Sequence, residues 1–152
     1  MKSIHDFSLV DRLFELAGTL TDAMDKRLVA EGLTPTRAEI IWRIGQQGPL
    51  TQRQLSDALQ CSPRNVTGLV DALEAAGLAA RTPHPSDRRA TLVTLTDRGA
   101  AIERAWRAGY RRLGEYLFAD LDDGDIAAFS RTLEHILERL RSPESAQVTR
   151  LD

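Results

Sequence analysis

The tract TQRQLSDALQCSPRNVTGLVDALEAAGL, residues 51–78, holds two short amphipathic helices with almost nothing between them. Few folds accommodate that arrangement. Thr51 and Gln54 have the spacing of a capping box, so a first helix starts there and carries Leu55, Ala58 and Leu59 on one face. A break at residues 60–62 follows. Ser62 is then a good N-cap, and Pro63 takes the first helical position, where its missing N–H costs nothing. Behind them Val66, Leu69, Val70 and Leu73 recur at i, i+3, i+4 and i+7, which marks one stripe for burial. Gly77 supplies a left-handed C-cap. Two helices joined this tightly form a helix-turn-helix.

The stripe leaves Arg64, Asn65, Thr67 and Gly68 outside, next to Ser62. Short, donor-rich side chains beside a glycine let a backbone come close to a surface rich in acceptors. In the major groove Arg pairs with guanine, Asn with adenine, and Thr with either base or phosphate. Thr51, Gln52 and Arg53, at the start of the preceding helix, join this contact set. A polar helix face can equally be solvated, so the flanking elements decide. Residues 78–82 and 91–95 are strand-like and flank the loop PHPSDRRA, which carries Asp87, Arg88 and Arg89. Adjacent arginines on a hairpin tip form a wing that can reach a phosphate backbone or the minor groove. Helix-turn-helix plus basic hairpin is a winged helix, whose commonest use is binding duplex DNA.

The stretch SPRNVTGLVDALEAAGL, followed by RTPHPSDRRA-x-x-V-x-L-T, resembles the winged-helix core of the MarR (multiple antibiotic resistance regulator) family. The likeness covers residues 33–99 by motif and both flanks by helical layout alone. The family's wing signature D-x-R falls on Asp87 and Arg89. The resemblance implies that Arg89 enters the minor groove and Asp87 helps to hold the wing. It further implies a homodimer joined through terminal helices and a double-stranded DNA operator that is a pseudo-palindrome. Repression, relieved when a small aromatic or anionic effector binds between dimer region and winged helix, completes the implied behaviour.

The termini read independently as an association region. Phe7, Val10, Leu13, Phe14, Ala17, Leu20, Met24 and Leu28 fall at near-heptad spacing over residues 7–30, a stretch too long for one small core. Thr34 and Pro35 open a helix to residue 47, with Ala38, Ile41 and Ile44 or Gly45 facing inward. After the wing, Thr96 caps a helix over residues 97–119 containing Ile102, Ala105, Trp106, Leu113 and Leu117. Its Arg104, Arg107, Arg111 and Arg112 alternate with Glu103, Glu115 and Asp120, as on a solvated or dimer-facing surface. A turn at residues 121–125 precedes a last helix with Ile126, Phe129, Leu133, Ile136, Leu137 and Leu140 in its stripe. The expected fold is thus mainly α with a small β-hairpin wing: a winged helix-turn-helix over residues 34–96, an α-helical dimerisation region from residues 1–33 and 97–141, and a polar tail over 142–152. Phe7, Val10, Leu13, Phe129, Leu133 and Ile136 are the expected interface residues, and two-fold symmetry would set the recognition helices about 34 Å apart.

Composition narrows the function. A net charge of −2 over 152 residues argues against non-specific wrapping of nucleic acid but leaves room for a local basic surface. The single cysteine and the lack of a signal peptide or long apolar run point to the cytoplasm, with no membrane partner. DLDDGDI fails as a calcium loop, because with Gly124 at the sharp turn the first and third ligand positions are Ala119 and Leu121. His5, His84 and His135 are scattered, so no metal site is expected, and His84 reads as a solvated loop residue. No phosphate loop or nucleophile–base pattern is present, so neither an enzyme nor a cofactor is expected. Trp42, Trp106 and Tyr110, on the helices leading into and out of the winged helix, are the candidate effector pocket. Cys61 reads as a small buried turn residue, or alternatively as a redox-sensing thiol near a helix N-terminus. The alternative from another class is a winged-helix module that contacts protein.

Overall fold

The computed structural model describes residues 5–87 and 90–142, with side chains from residue 8 onward. The expectations for Arg88, Arg89, the Phe7 side chain and residues 143–152 lie outside the described residues. In chain order the elements are α1 (His5–Ala30), α2 (Pro35–Gln47), β1 (Leu50–Thr51), α3 (Gln52–Leu59), α4 (Pro63–Ala75), β2 (Ala79–Pro83), β3 (Thr91–Leu95), α5 (Asp97–Leu117) and α6 (Asp123–Arg141). They fall into two compact units, Met1–Ala105 and Trp106–Asp152.

The caps act where the sequence placed them. Thr34 Oγ1 accepts from Arg37 N at 3.4 Å, and Ser62 Oγ accepts from Asn65 N at 3.3 Å. Thr51 and Gln54 form the reciprocal capping box, with Thr51 N donating to Gln54 Oε1 at 2.8 Å. Between α3 and α4 the chain turns through Gln60, a non-glycine residue with φ 49°. Ser56 holds that turn. Its buried hydroxyl donates to Cys61 O at 2.5 Å, while Cys61 N donates to Ser56 O at 3.2 Å.

Ile40, Ile41, Leu55, Val66, Val70, Leu73 and Val93 are fully buried and join α2, α3, α4 and the sheet into one core. Ile40 was not expected there, and Leu69 is only half-buried. The sheet has three strands in the order β1-β3-β2, not a hairpin alone. β1 pairs Leu50 with Val93 and Thr51 with Leu92, while β2 pairs Arg81 with Val93. Two residues carry no alternation pattern, so β1 was illegible; Gly48–Pro49 bends α2's exit so that the buried Leu50 lies beside β3. This tethers the wing to the start of α3.

α5 is anchored where it leaves the sheet. Thr96 N donates to Leu78 O at 3.1 Å, Thr96 Oγ1 to Gly77 O at 2.7 Å, and Arg98 Nη1 to Ala76 O at 3.0 Å. Thr96 Oγ1 also accepts from Gly99 N at 3.1 Å, which caps the helix.

In the second unit, α6 starts three residues earlier than the expected turn allowed, because Asp122 caps it by accepting from Asp125 N at 2.8 Å. Acids in the first turn favour that start at the positive end of the helix dipole. Phe118 packs on Phe129 with ring centroids 6.2 Å apart. Yet none of α6 is buried. α1 in the first unit likewise exposes Leu9, Val10, Leu13 and Phe14. Among the described residues no helix is long and apolar enough to cross a membrane.

Candidate nucleic-acid interface

α4 is fixed from behind and open in front. Val66, Val70 and Leu73 have no exposed surface, whereas Arg64, Asn65, Thr67 and Gly68 on the opposite side are all exposed. A helix held this way presents its outer side chains as a rigid set. Ser62 stands at its head but spends its hydroxyl on the cap. Thr67 Oγ1 donates to Pro63 O at 3.0 Å, which ties its hydroxyl to the preceding turn of the helix.

The three residues expected from the preceding helix separate. Thr51 is committed to the capping box. Gln52 is a brace: with its amide oxygen turned to Arg81 it accepts from Nη2 at 2.9 Å and Nε at 3.1 Å, leaving its nitrogen 3.4 Å from Thr67 Oγ1. Arg53 is exposed.

Arg81 on β2 was not singled out in the sequence. It pairs with Asp71 Oδ1 at 2.7 Å and with Glu74 on α4, and its backbone N donates to Glu74 Oε1 at 2.8 Å. This guanidinium therefore joins α3, α4 and the wing sheet, and it neutralises two acids on the helix that carries Arg64 and Asn65. A lone strand arginine gives no sign of that in sequence, because its partners come from two other elements.

Beside α4 an open groove of about 640 Å³ is lined by Thr36, Arg37, Leu59, Cys61, Arg64, Asn65, Gly68 and Leu69. Arg37, on the first turn of α2, was also missed. Its Nε is buried and has no hydrogen-bond partner among the described residues. Cys61 lines the groove and is half-exposed, not the buried turn residue expected.

Asp87 is exposed at the wing tip. Of the expected effector set, Trp106 is buried, Trp42 half-buried and Tyr110 exposed. Trp42 belongs to the first unit and the other two to the second.

The glycines separate folding from other demands. A Cβ on Gly99 would stand 2.0 Å from Leu78 O, and one on Gly45 would stand 2.4 Å from Glu103 Cγ, so packing requires both. Gly68 lies within α4, its φ is not positive, and nothing stands within 4 Å of an added Cβ. A glycine there costs about 0.5–1 kcal/mol relative to alanine with no return inside the protomer. Gly68→Ala should accordingly raise thermal stability by about that amount while weakening duplex binding, as the methyl enters the closest approach. Melting curves and a binding titration on the same protein check both signs.

Comparison with known proteins agrees with this geometry. The model of the MarR family matches residues 33–91. The multiple antibiotic resistance protein MarR of Salmonella typhimurium is 31% identical over 108 residues, covering 71% of this chain and 73% of that protein. The HTH-type transcriptional regulator MhqR of Bacillus subtilis is 28% identical over 101 residues, covering 66% of this chain and 68% of its own length. The fold is also that of Streptococcus pneumoniae FabT, solved in complex with DNA: TM-score 0.67 at 22% identity, over 84% of this chain and 96% of that one.

Proposed function

The chain belongs to the MarR family of DNA-binding transcriptional regulators, and from that membership we propose that it acts as a homodimer on a pseudo-palindromic operator, most simply as a repressor whose grip a small aromatic or anionic molecule relaxes. The observation that carries the DNA reading is the open face of α4. Arg64, Asn65 and Gly68 are exposed on a helix whose other side is fully buried, and Gly68 has no reason for its missing side chain within the protomer. Asn65 and Arg64 read base edges, Thr67 and the wing arginines Arg88 and Arg89 add groove and phosphate contacts, and Arg37 supplies a cation at the rim of the groove.

Dimerisation is supported by apolar surface that stays exposed among the described residues. On α6 Phe129 and Leu133 are 45% and 37% exposed, and on α1 Val10 and Phe14 are 47% and 74% exposed. Gly18 on α1 and Gly114 on α5 resemble Gly68, each with nothing within 4 Å of an added Cβ. Small residues on exposed helix faces suit close approach by a second helix.

Selection of bound duplexes from a random pool tests this reading. Recovery of one two-fold-related motif, with affinity falling steeply as salt rises, is the expected result. A pool that stays random would reject it. Aromatic carboxylates titrated against the selected complex then test release, with tryptophan fluorescence following Trp42 and Trp106. Loss of duplex binding with a coincident fluorescence change supports the effector, and intact binding across a broad panel counts against it.

A further inference from the structure

α4 carries an acid on its open side. Arg64, Gly68 and Asp71 fall at i, i+4 and i+7, so they share the face opposite the buried Val66, Val70 and Leu73. The Asp71 side chain is 59% exposed. A helix with its side chains is about 10–12 Å across and the major groove about 12 Å wide, so a helix laid there brings this face close to bases and phosphates. A carboxylate on it loses water and meets like charge as the duplex arrives. Both effects oppose binding.

Asp71 does not enter alone. Arg81 Nη2 lies 2.7 Å from Asp71 Oδ1, and Nη1 pairs with Glu74, the next acid along α4. Arg81 N donates to Glu74 Oε1 at 2.8 Å, which ties the strand itself to the helix. With the Gln52 amide oxygen turned to it, the guanidinium also donates from Nη2 at 2.9 Å and from Nε at 3.1 Å. Each of its nitrogens is thus engaged within the protein, and the side chain is only 27% exposed.

Resting on the DNA-binding reading above, we propose that Arg81 is a positioning residue for operator binding, which carries the Asp71 carboxylate into the DNA interface as one half of an ion pair. In the free protein water screens the exposed Asp71 side of the pair, so the pair contributes little. Duplex laid on α4 displaces that water, and the attraction between the same two groups strengthens as the effective dielectric falls. The strengthening offsets the cost of desolvating Asp71 beside phosphate. Glu74 and Gln52 keep the guanidinium where it is, so Arg81 acts through Asp71 and not by touching DNA. The pair therefore matters more in the complex than in the fold, unlike a brace. Its effect also depends on Asp71, unlike a direct phosphate contact.

A double-mutant cycle on the full chain tests this, using a duplex selected from the random pool and temperatures well below each protein's thermal midpoint. Arg81→Gln should bind about tenfold more weakly than wild type, the scale of one charge pair moving from water toward protein-like surroundings. In the Asp71→Asn background the same change should cost about threefold or less, with no comparable recovery of the thermal midpoint. Arg81→Lys, which keeps the charge, should recover part of the loss. If Arg81→Gln does not fold, Arg81→Lys closes the cycle, and its smaller loss should also shrink in the Asp71→Asn background. Asp71→Asn alone leaves Arg81 on Glu74 and Gln52, and should bind at least as tightly as wild type with the selected motif unchanged. Equal losses in the two backgrounds would make Arg81 an independent phosphate contact or a folding brace and overturn the proposal. Weaker binding or an altered motif in Asp71→Asn would make Asp71 a base reader and overturn it too. A wild type that selects no duplex would overturn the DNA-binding reading itself, whereas one that binds with an additive cycle overturns this proposal alone.

Discussion

If the chain pairs through α6 as proposed, Leu133→Asp should convert the dimer to monomer and lower operator affinity at least about a hundredfold. Leu133 lies in the stripe Phe129, Leu133, Ile136, on a helix that buries none of its residues within the protomer. In a two-fold interface each stripe meets its own copy or a neighbouring helix, so the substitution enters twice. Burying an unpaired carboxylate costs about 3–5 kcal/mol, far more than the leucine contributes by exposure in the monomer. Two linked winged helices hold DNA by making the second half-site an intramolecular event, and losing the link forfeits about 10²–10⁴ in affinity without touching a DNA contact. Sedimentation and a binding titration measure the two consequences separately. A Leu133→Asp protein that remained dimeric would place the interface elsewhere.

Gly99→Ala should destabilise the protein by about 3 kcal/mol, the upper range for forcing a methyl into packed structure. The added Cβ would sit 2.0 Å from Leu78 O and 3.0 Å from Leu78 C, both backbone atoms that cannot rotate away. Relief requires the start of α5 to move from the end of α4. That motion strains Thr96 N to Leu78 O, Thr96 Oγ1 to Gly77 O and Arg98 Nη1 to Ala76 O together. A midpoint lowered by roughly 6–12 °C is the corresponding shift for a chain of this size. Gly68→Ala, on a helix with open space, is the matched comparison and should move the midpoint upward.

These two substitutions also mark what the sequence could convey. α4 was legible nearly to the residue, because Ser62, Pro63 and the Val66–Val70–Leu73 stripe act within one helix. Local chemistry also announced the capping box at Thr51 and the caps at Thr34 and Thr96. Contacts made across elements were silent. Gly99 looks like any helix glycine until Leu78 O is placed beside it, and Arg81 looks like a strand residue until Asp71, Glu74 and Gln52 converge on it. β1 was missed because two residues have no period, and the start of α6 was displaced because Asp122 could be read as turn or cap equally well. The exposed face of α4 was readable as a set of side chains, but which of them are spent on the fold was not. Thr51 and Gln52 look like contacts in sequence and serve in the structure as a cap and a brace, whereas Arg37 lies on α2 and shares the groove with Arg64 and Asn65.

Base recognition through the open face of α4 is tested most directly by repeating the duplex selection with Asn65→Ala. A side chain that reads a base edge sets preference at particular positions, with about 1–3 kcal/mol of discrimination for a good bidentate pair. The Asn65→Ala pool should therefore keep the two-fold spacing of the motif but lose preference at one symmetry-related pair of positions. Its salt dependence should stay that of the wild type, because no phosphate contact is removed. An unchanged motif with uniformly weaker binding and a shallower salt slope would contradict this assignment and make α4 a backbone-holding helix instead of a reading one.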